Sequence, residues 1–202
     1  MHKFAMAAVS LALAATLATG CASGPPVGFY VVTPLAGPAS AARASGPGVV
    51  VASVRLPEYL ERPQLVTRSG DNRLQLEELH QWGGNLAKDL TRVMAENLSL
   101  LLASDAVVAA PHTLRKRPAY RVEIEVLRFE RAGDARVHLT AKWWLQRAAD
   151  GSPLESPTTV LASEPLPDPG NAESTVAAMS GVYGELSRVI AQAIAAHDKA
   201  AR

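Results

Sequence analysis

The fold is decided by residues 120–146, YRVEIEVLRFERAGDARVHLTAKWWLQ. In each half of this stretch, apolar side chains alternate with polar or charged ones. That period is typical of a strand with one face on a core and the other on solvent. Ala132-Gly133-Asp134 lies between the halves and has the composition of a turn. The pattern predicts a long antiparallel hairpin with strands near 119–129 and 135–146.

Two further stretches repeat their apolar residues at helical spacing, which predicts amphipathic helices over 85–102 and 173–197. Strands are predicted over 48–56, a run rich in valine, and near 158–163. Residues 64–76 alternate around a turn, which predicts a second hairpin. Hairpins with two helices set apart in sequence favour an α+β fold. We expect a mixed, mostly antiparallel sheet with two long helices packed on one face.

The chain begins in the order of a secretory signal peptide: a basic tip, an apolar run over 4–18, then Thr19-Gly20-Cys21. The run is too short for a transmembrane helix, which needs about 20 apolar residues. Cys21 is the only cysteine and stands where lipoprotein signal peptidase would cleave. We therefore expect residues 1–20 to be removed and Cys21 to be lipidated. The alternative is a buried thiol, since one cysteine cannot form an internal disulfide.

Residues 21–47 are rich in Gly, Pro, Ala and Ser, which predicts a lipidated tether. Within it, Phe29 to Leu35 is expected to dock as an edge strand, because Pro34 cannot donate to a central ladder. A single folded domain is expected over 48–198. The chain has 20 Lys+Arg against 19 Asp+Glu, and loss of Lys3 with the signal peptide balances them. Such a neutral protein lacks the basic surface of a nucleic-acid binder.

Candidate catalytic residues occur in residues 54–68, VRLPEYLERPQLVTR. Glu58 and Glu61 are candidates for the acid/base pair of a glycosidase-like site. The alternative, favoured by the turn and by neighbouring arginines, is that both are surface acids. The sequence contains no nucleophile elbow, phosphate-binding loop, dinucleotide fingerprint or clustered metal ligands. We expect no enzyme activity, no cofactor and no metal site.

Trp144 needs an explanation, because its neighbour Trp143 takes the core face of the predicted strand. By alternation Trp144 is either exposed or covered by another element. A partner protein is one candidate cover. The N-terminal segment around Phe29 and Tyr30 is the other.

The chain resembles the PqiC/YmbA-type lipoproteins, which are ABC-type transport auxiliary lipoprotein components. The resemblance rests on the sequence around Cys21 and on FYVVTPL (29–35), VRLPEYLERPQLVTR (54–68), NRLQLEELHQWGGNLAKDLTRVMAENLSLLL (72–102), YRVEIEVLRFE (120–130) and SGVYGELSRVIAQAI (180–194), in that order. It implies that Cys21 is the lipidated residue. It also implies a family signature formed by Leu56, Pro57, Tyr59, Leu60, Arg62, Pro63 and Arg68.

By this resemblance we expect a lipoprotein on the periplasmic side of the outer membrane. Its partner would be an MCE-type protein that bridges the envelope and moves lipid. Ala22, where another sorting class has Asp, agrees with outer-membrane sorting. We expect the signature to dock on that partner, with Arg73 and Trp144 adding to the surface. A homo-oligomer is a further option.

Two other functions stay open at the level of sequence. One is a stand-alone lipid-binding carrier with a pocket between the helices and the sheet. The other is an envelope hydrolase that uses Glu58 and Glu61. Co-purification of a partner separates docking from both, and lipid extracted from the purified soluble domain favours the carrier.

Overall fold

The computed structural model describes residues 24–37, 46–112 and 117–201. The predicted signal peptide, residues 1–20, and the predicted lipidation site Cys21 lie outside the described residues. The strands are β1 (Gly28–Tyr30), β2 (Val49–Val51), β3 (Gln64–Gly70), β4 (Arg73–Trp82), β5 (Val107–Ala109), β6 (Tyr120–Arg131), β7 (Val137–Arg147), β8 (Pro153–Glu155) and β9 (Thr158–Ala162). The helices in the described part of the chain are α1 (Leu86–Leu101) and α2 (Ala172–Ala200).

The hairpin that the alternation predicted forms the centre of the sheet, as β6 paired antiparallel with β7. Its register places Val122 opposite Leu145 and Ile124 opposite Trp143, so that both strands turn apolar side chains to the same face. A β-bulge between Val126 and Arg128 shifts the alternation by one residue. After the bulge, Phe129 takes the core position and is fully buried.

The described strands form one mixed sheet. Along one path the order is β1-β4-β3-β6-β2-β5, and β7 lies on the other side of β6 and carries β8 and β9. The long pairings, β3 with β4, β6 with β7 and β7 with β9, are antiparallel, whereas β1 and β2 pair parallel to their neighbours. The predicted α+β fold, with a mixed and mostly antiparallel sheet and two helices, is confirmed.

Both helices begin at an asparagine whose side chain caps the first turn. Asn85 accepts a hydrogen bond from the backbone N–H of Lys88, and Asn171 accepts one from Ser174, each at 2.9 Å. The helices cover the apolar face of the central hairpin, and Tyr183 of α2 donates to the backbone carbonyl of Leu90 in α1 at 3.0 Å. None of the helices in the described ranges is both long and apolar enough to span a membrane.

Residues 27–37 form an N-terminal strap that packs on the domain, although they lie in the stretch predicted to be tether. The observed edge strand is shorter than the predicted Phe29–Leu35, because only Gly28–Tyr30 pairs with β4. After Tyr30, the backbone N–H groups of the strap donate to side chains of the helices and no longer to a neighbouring strand. Val32 donates to Asp89 at 2.9 Å, Thr33 to Ser180 at 3.1 Å and Leu35 to Asn97 at 2.8 Å, all through backbone N–H groups.

The strap crosses the two helices at close range. A side chain at Gly184 of α2 would place its Cβ 2.6 Å from a terminal methyl group of Leu35, so any larger residue there would have to displace the Leu35 side chain. Val32 is fully buried in the core cluster. The strap is therefore an integral layer of the fold.

Candidate docking surface

The proline-bounded signature folds into a single 3₁₀ turn, Glu58–Leu60, held between extended segments. Leu60 donates its N–H to the carbonyl of Pro57 at 2.9 Å, and its side chain is buried in the core. Leu56 packs against the same core from the other side of the turn. The carbonyl of Pro63 accepts the N–H of Trp82 at 2.7 Å, which joins the end of the turn to β4. Leu56, Pro57 and Leu60 thus anchor this stretch to the domain.

Two signature residues meet at the carboxylate of Glu130, which is completely buried. It accepts hydrogen bonds from the Tyr59 hydroxyl at 2.7 Å, from Arg68 Nε at 2.8 Å and from Arg128 Nε at 2.9 Å. The backbone N–H of Phe129 adds a fourth at 3.1 Å. We call these side chains, Tyr59, Arg68, Arg128 and Glu130, the Glu130 cluster. It connects the 3₁₀ turn, β3 and β6.

The electrostatics of the Glu130 cluster favour the ionised carboxylate. Burial alone would raise the pKa of Glu130, but hydrogen bonds from Arg68, Tyr59 and Arg128 outweigh burial and hold this pKa below its usual range. Burial and the hydrogen bond to Glu130 raise the pKa of Tyr59, so its hydroxyl stays a donor. The buried carboxylate thus has hydrogen-bond donors for both of its oxygens, and the cluster has the character of a structural ion network that holds three elements together.

The other predicted docking residues lie nearer to solvent. Arg62 is half-buried, and its Nε atom has no hydrogen-bond partner among the described residues. Pro63 is exposed beside it, and the two line a cleft of about 250 Å³ together with Leu56 and Glu61. Arg73 is exposed at the start of β4. These positions are accessible to a partner, and partner binding at them stays a prediction.

The hairpin formed by β3 and β4 exposes apolar side chains that the sequence pattern did not identify. We call the turn and most of β4, residues 69–79, the hairpin arm. Leu74 and Leu76 are 37% and 36% exposed there, and Leu79 is 40% exposed. Leu74 and Leu76 share one face of β4, and the sequence predicted only that this stretch is a hairpin. β1 pairs with the edge of β4 at His80–Trp82 and covers neither of its faces. These apolar side chains therefore remain in solvent.

Trp144 lies on the helix-free face of the sheet, opposite Glu123 on β6. The Arg55 guanidinium lies 5.4 Å from its ring centroid and the Lys142 ammonium lies 5.1 Å from it. The proposed cover by the N-terminal segment is wrong. Residues 28–30 pair with β4, which is separated from β7 by both β3 and β6. Trp144 is half-exposed and distant from the hairpin arm in the order of strands.

Glu58 and Glu61 are both exposed on the 3₁₀ turn. Of the two nearby arginines, Arg55 pairs instead with Glu125 at 3.8 Å. Within the described ranges no group of three His, Cys, Asp or Glu side chains is placed to hold a metal ion. The two carboxylates sit on an open surface without an enclosing cleft shared by both.

The interface between helices and sheet, where a lipid pocket was an alternative, is filled with side chains. Phe129, Trp143 and Tyr183 occupy its centre and are at most 1% exposed. Leu90, Met94 and the other apolar residues of both helices close the rest. In the part of the chain that the structure describes, this interface has the packing of an ordinary core.

Comparison with protein families matches residues 30–191 to the model of the ABC-type transport auxiliary lipoprotein component. The match covers most of the chain. The chain belongs to this family. The predicted family is thereby confirmed, and with it the general role of a lipoprotein that assists an ABC-type transport system.

Solved structures share the fold of this auxiliary lipoprotein at low sequence identity. An uncharacterised protein of known structure is 19% identical with a TM-score of 0.69, and the match covers 84% of this chain and 99% of that one. A protein from Xanthomonas campestris is 17% identical with a TM-score of 0.64, covering 86% and 99%. No curated protein matches the sequence. At these identities the structures establish the fold alone.

Proposed function

We propose that this auxiliary lipoprotein is anchored through Cys21 in the outer membrane, faces the periplasm, and docks on an MCE-type envelope-spanning protein. In this role it supports intermembrane lipid transport and membrane integrity without catalysing a reaction. Family membership supports the proposal, because an auxiliary component implies a transport partner. The single observation that carries the docking site is the exposed apolar hairpin arm.

The hairpin arm has the composition of a protein interface. Leu74 and Leu76 are more than a third exposed on one strand face, and Arg73 precedes them at the turn. An exposed strand with apolar side chains is a liability unless a partner covers it. Interfaces take most of their binding energy from a few anchors, often arginine or aromatic side chains, and the contacts around these anchors exclude water. Arg73 could serve as such an anchor, with Leu74 and Leu76 beside it excluding water. The arm therefore fits a protein partner better than it fits solvent.

The signature supports the arm from below. Tyr59 and Arg68 fix β3 on Glu130, while Arg62 and Pro63 lie at the adjoining surface. Rigid support limits the ordering that docking would otherwise require, which favours affinity. Trp144, on the far side of β6, would serve a separate contact, such as one between copies of the chain.

The test is co-purification from detergent-solubilised envelopes. The variant Leu74→Ser with Leu76→Ser is expected to lose most of the MCE-type protein that the wild type retains. The matched control is Val160→Ser on β9, which removes a side chain that is 70% exposed at the other edge of the sheet. Light scattering of the same samples separates self-association from capture of the partner.

The proposal fails if the double variant folds, is acylated at Cys21 and still retains the MCE-type protein at the wild-type level. Capture of a different transport protein by the wild type would keep the arm as an interface but replace the partner.

A further inference from the structure

The N-terminal strap carries three apolar side chains on its outer side. In an extended segment, alternate residues point to opposite sides. Here the even positions point inward: Tyr30 bonds His80 at 3.0 Å and Val32 is fully buried. The odd positions, Val27, Phe29 and Val31, are 40%, 68% and 52% exposed. We call these three residues the apolar stripe.

The apolar stripe is continuous with a neighbouring leucine. In the register of β1 with β4, Phe29 is level with Gln81. Continued two residues back on each strand, the same register brings Val27 level with Leu79, whose side chain is 40% exposed. An outward strand face on an edge normally carries polar residues. Here it is apolar instead, which points to a surface that is covered in the functional state.

The position of the stripe in the chain identifies what covers it. Only five residues separate Val27 from Cys21, the sole cysteine of a chain that belongs to a lipoprotein family. Six Cα–Cα steps span at most about 20 Å when fully extended. The polar headgroup layer that surrounds an anchoring lipid is about 5 to 8 Å thick. The stripe is therefore held within reach of the bilayer that contains the anchor.

The charges beside the stripe are balanced. Lys88, Asp89 and Arg92 line a cleft next to Val31, and Glu173 lines a second cleft next to Phe29 and Val31. Two charges of each sign give no net attraction to anionic headgroups. Contact with a membrane would therefore depend on the apolar side chains and would be insensitive to salt.

We propose that Val27, Phe29 and Val31 insert into the interface of the membrane that holds the lipid anchor, and so seat the domain against the bilayer with β1 lowest. The lipid anchor supplies attachment, and the stripe supplies orientation. The inference rests on acylation at Cys21 and is independent of the MCE-type partner. Its occupant is the lipid surface and not a second copy of the chain.

A cysteine scan tests the seating directly. Acylation consumes Cys21, so a cysteine introduced elsewhere becomes the single site for a nitroxide label. Full-length acylated protein is reconstituted into phosphatidylcholine vesicles with the label at Phe29→Cys or, as the matched control, at Val160→Cys. Both side chains are highly exposed, at 68% and 70%, so neither substitution disturbs the core.

The expected result is a severalfold higher ratio of oxygen to aqueous nickel-complex relaxation at position 29 than at position 160, unchanged by added salt. A label at position 29 that is as accessible to the nickel complex as position 160 overturns the proposal. Shielding from both reagents also overturns it, because it shows that protein covers the stripe. Mass spectrometry of the same sample reports acylation of Cys21. Failure of seating with Cys21 acylated leaves the proposed transport role standing.

Discussion

Two residues that pair across the β3–β4 hairpin, Arg68 on β3 and Leu74 on β4, have opposite surroundings. On the β3 side, which we call the root, Arg68 and Tyr59 donate to a fully buried carboxylate. On the β4 side, which we call the outer end, Arg73 and Leu74 face solvent. An arginine whose acceptor lies within its own chain is part of the scaffold, whereas an exposed arginine such as Arg73 stays available to a partner. The comparison predicts that the root governs stability and the outer end governs binding.

The largest effect is expected from removing the acceptor at the root. Glu130→Ala removes a fully buried carboxylate and leaves the partly exposed Arg68 and Arg128 without their shared acceptor, which we expect to lower the free energy of unfolding by about 3 kcal/mol. Urea denaturation measures the loss. The control is Glu125→Ala, which breaks an exposed pair with Arg55 and is expected to cost less than about 1 kcal/mol. Equal urea midpoints for the two variants would show that the buried carboxylate contributes no more to stability than the exposed pair does.

The strap is also held by a buried polar side chain, which gives a second test of the contrast between buried and exposed polar groups. Asn97 is 1% exposed, accepts the N–H of Leu35 at 2.8 Å and donates to Ser187 at 2.9 Å. Asn97→Ala is expected to lower the free energy of unfolding by about 2 kcal/mol, because both partners lose a buried hydrogen bond. Hydrogen exchange at the Leu35 amide should become faster.

The matched control for the strap is Gln75→Ala on the exposed face of the hairpin arm, which is expected to change neither quantity. If the Leu35 amide exchanges at the same rate in both variants, Asn97 does not hold the strap.

Acid should weaken the root selectively. The pKa of Glu130 is lowered in the folded state from its ordinary value of 4.5, so the unfolded state binds a proton first as the pH falls. The contribution of Glu130 is therefore complete above this value and is lost as the pH falls through the lower, folded-state pKa. Urea denaturation between neutral pH and pH 3 should show a shallower acid loss for Glu130→Gln than for the wild type. Parallel curves would contradict the assignment.

The smallest effect on stability is expected at the outer end. Arg73→Ala changes an exposed side chain and should shift the free energy of unfolding by no more than about 0.5 kcal/mol. Arg68→Ala, five positions earlier, removes a donor to Glu130 and should cost clearly more. Thermal denaturation of the pair measures the difference. A large loss for Arg73→Ala would make the outer end a part of the scaffold.

The elements of the fold follow from local patterns, and these were predictable. The alternation in residues 120–146 gave the hairpin of β6 and β7, and apolar residues at helical spacing gave α1 and α2 to within a few residues. Such patterns depend only on which face of one element is buried. They do not depend on which element buries it.

The Glu130 cluster could not be predicted for the same reason. The bulge after Val126 shifts the alternation, so that Glu130 pairs with His138 on the side away from the helices. Its burial there comes from Tyr59 and Arg68, which are 71 and 62 residues away in the chain. The pattern of one strand contains no information about side chains that lie far away in the chain and cover that strand in the fold. The exposure of Leu74 could not be predicted either, because alternation in one strand does not show whether any other element covers its apolar face.

The strap also constrains the order in which parts of the domain can fold. Thr33 precedes almost all of the domain in the chain, but the side chain that accepts its N–H belongs to Ser180, 147 residues later. An exported chain emerges with its amino end first, so the groove for the strap is not complete until the final helix has arrived. Until then the strap has only the part of its binding site that β4 and α1 supply. Processing at Cys21, as proposed above, would therefore precede closure of the domain, and closure would be the last step of maturation.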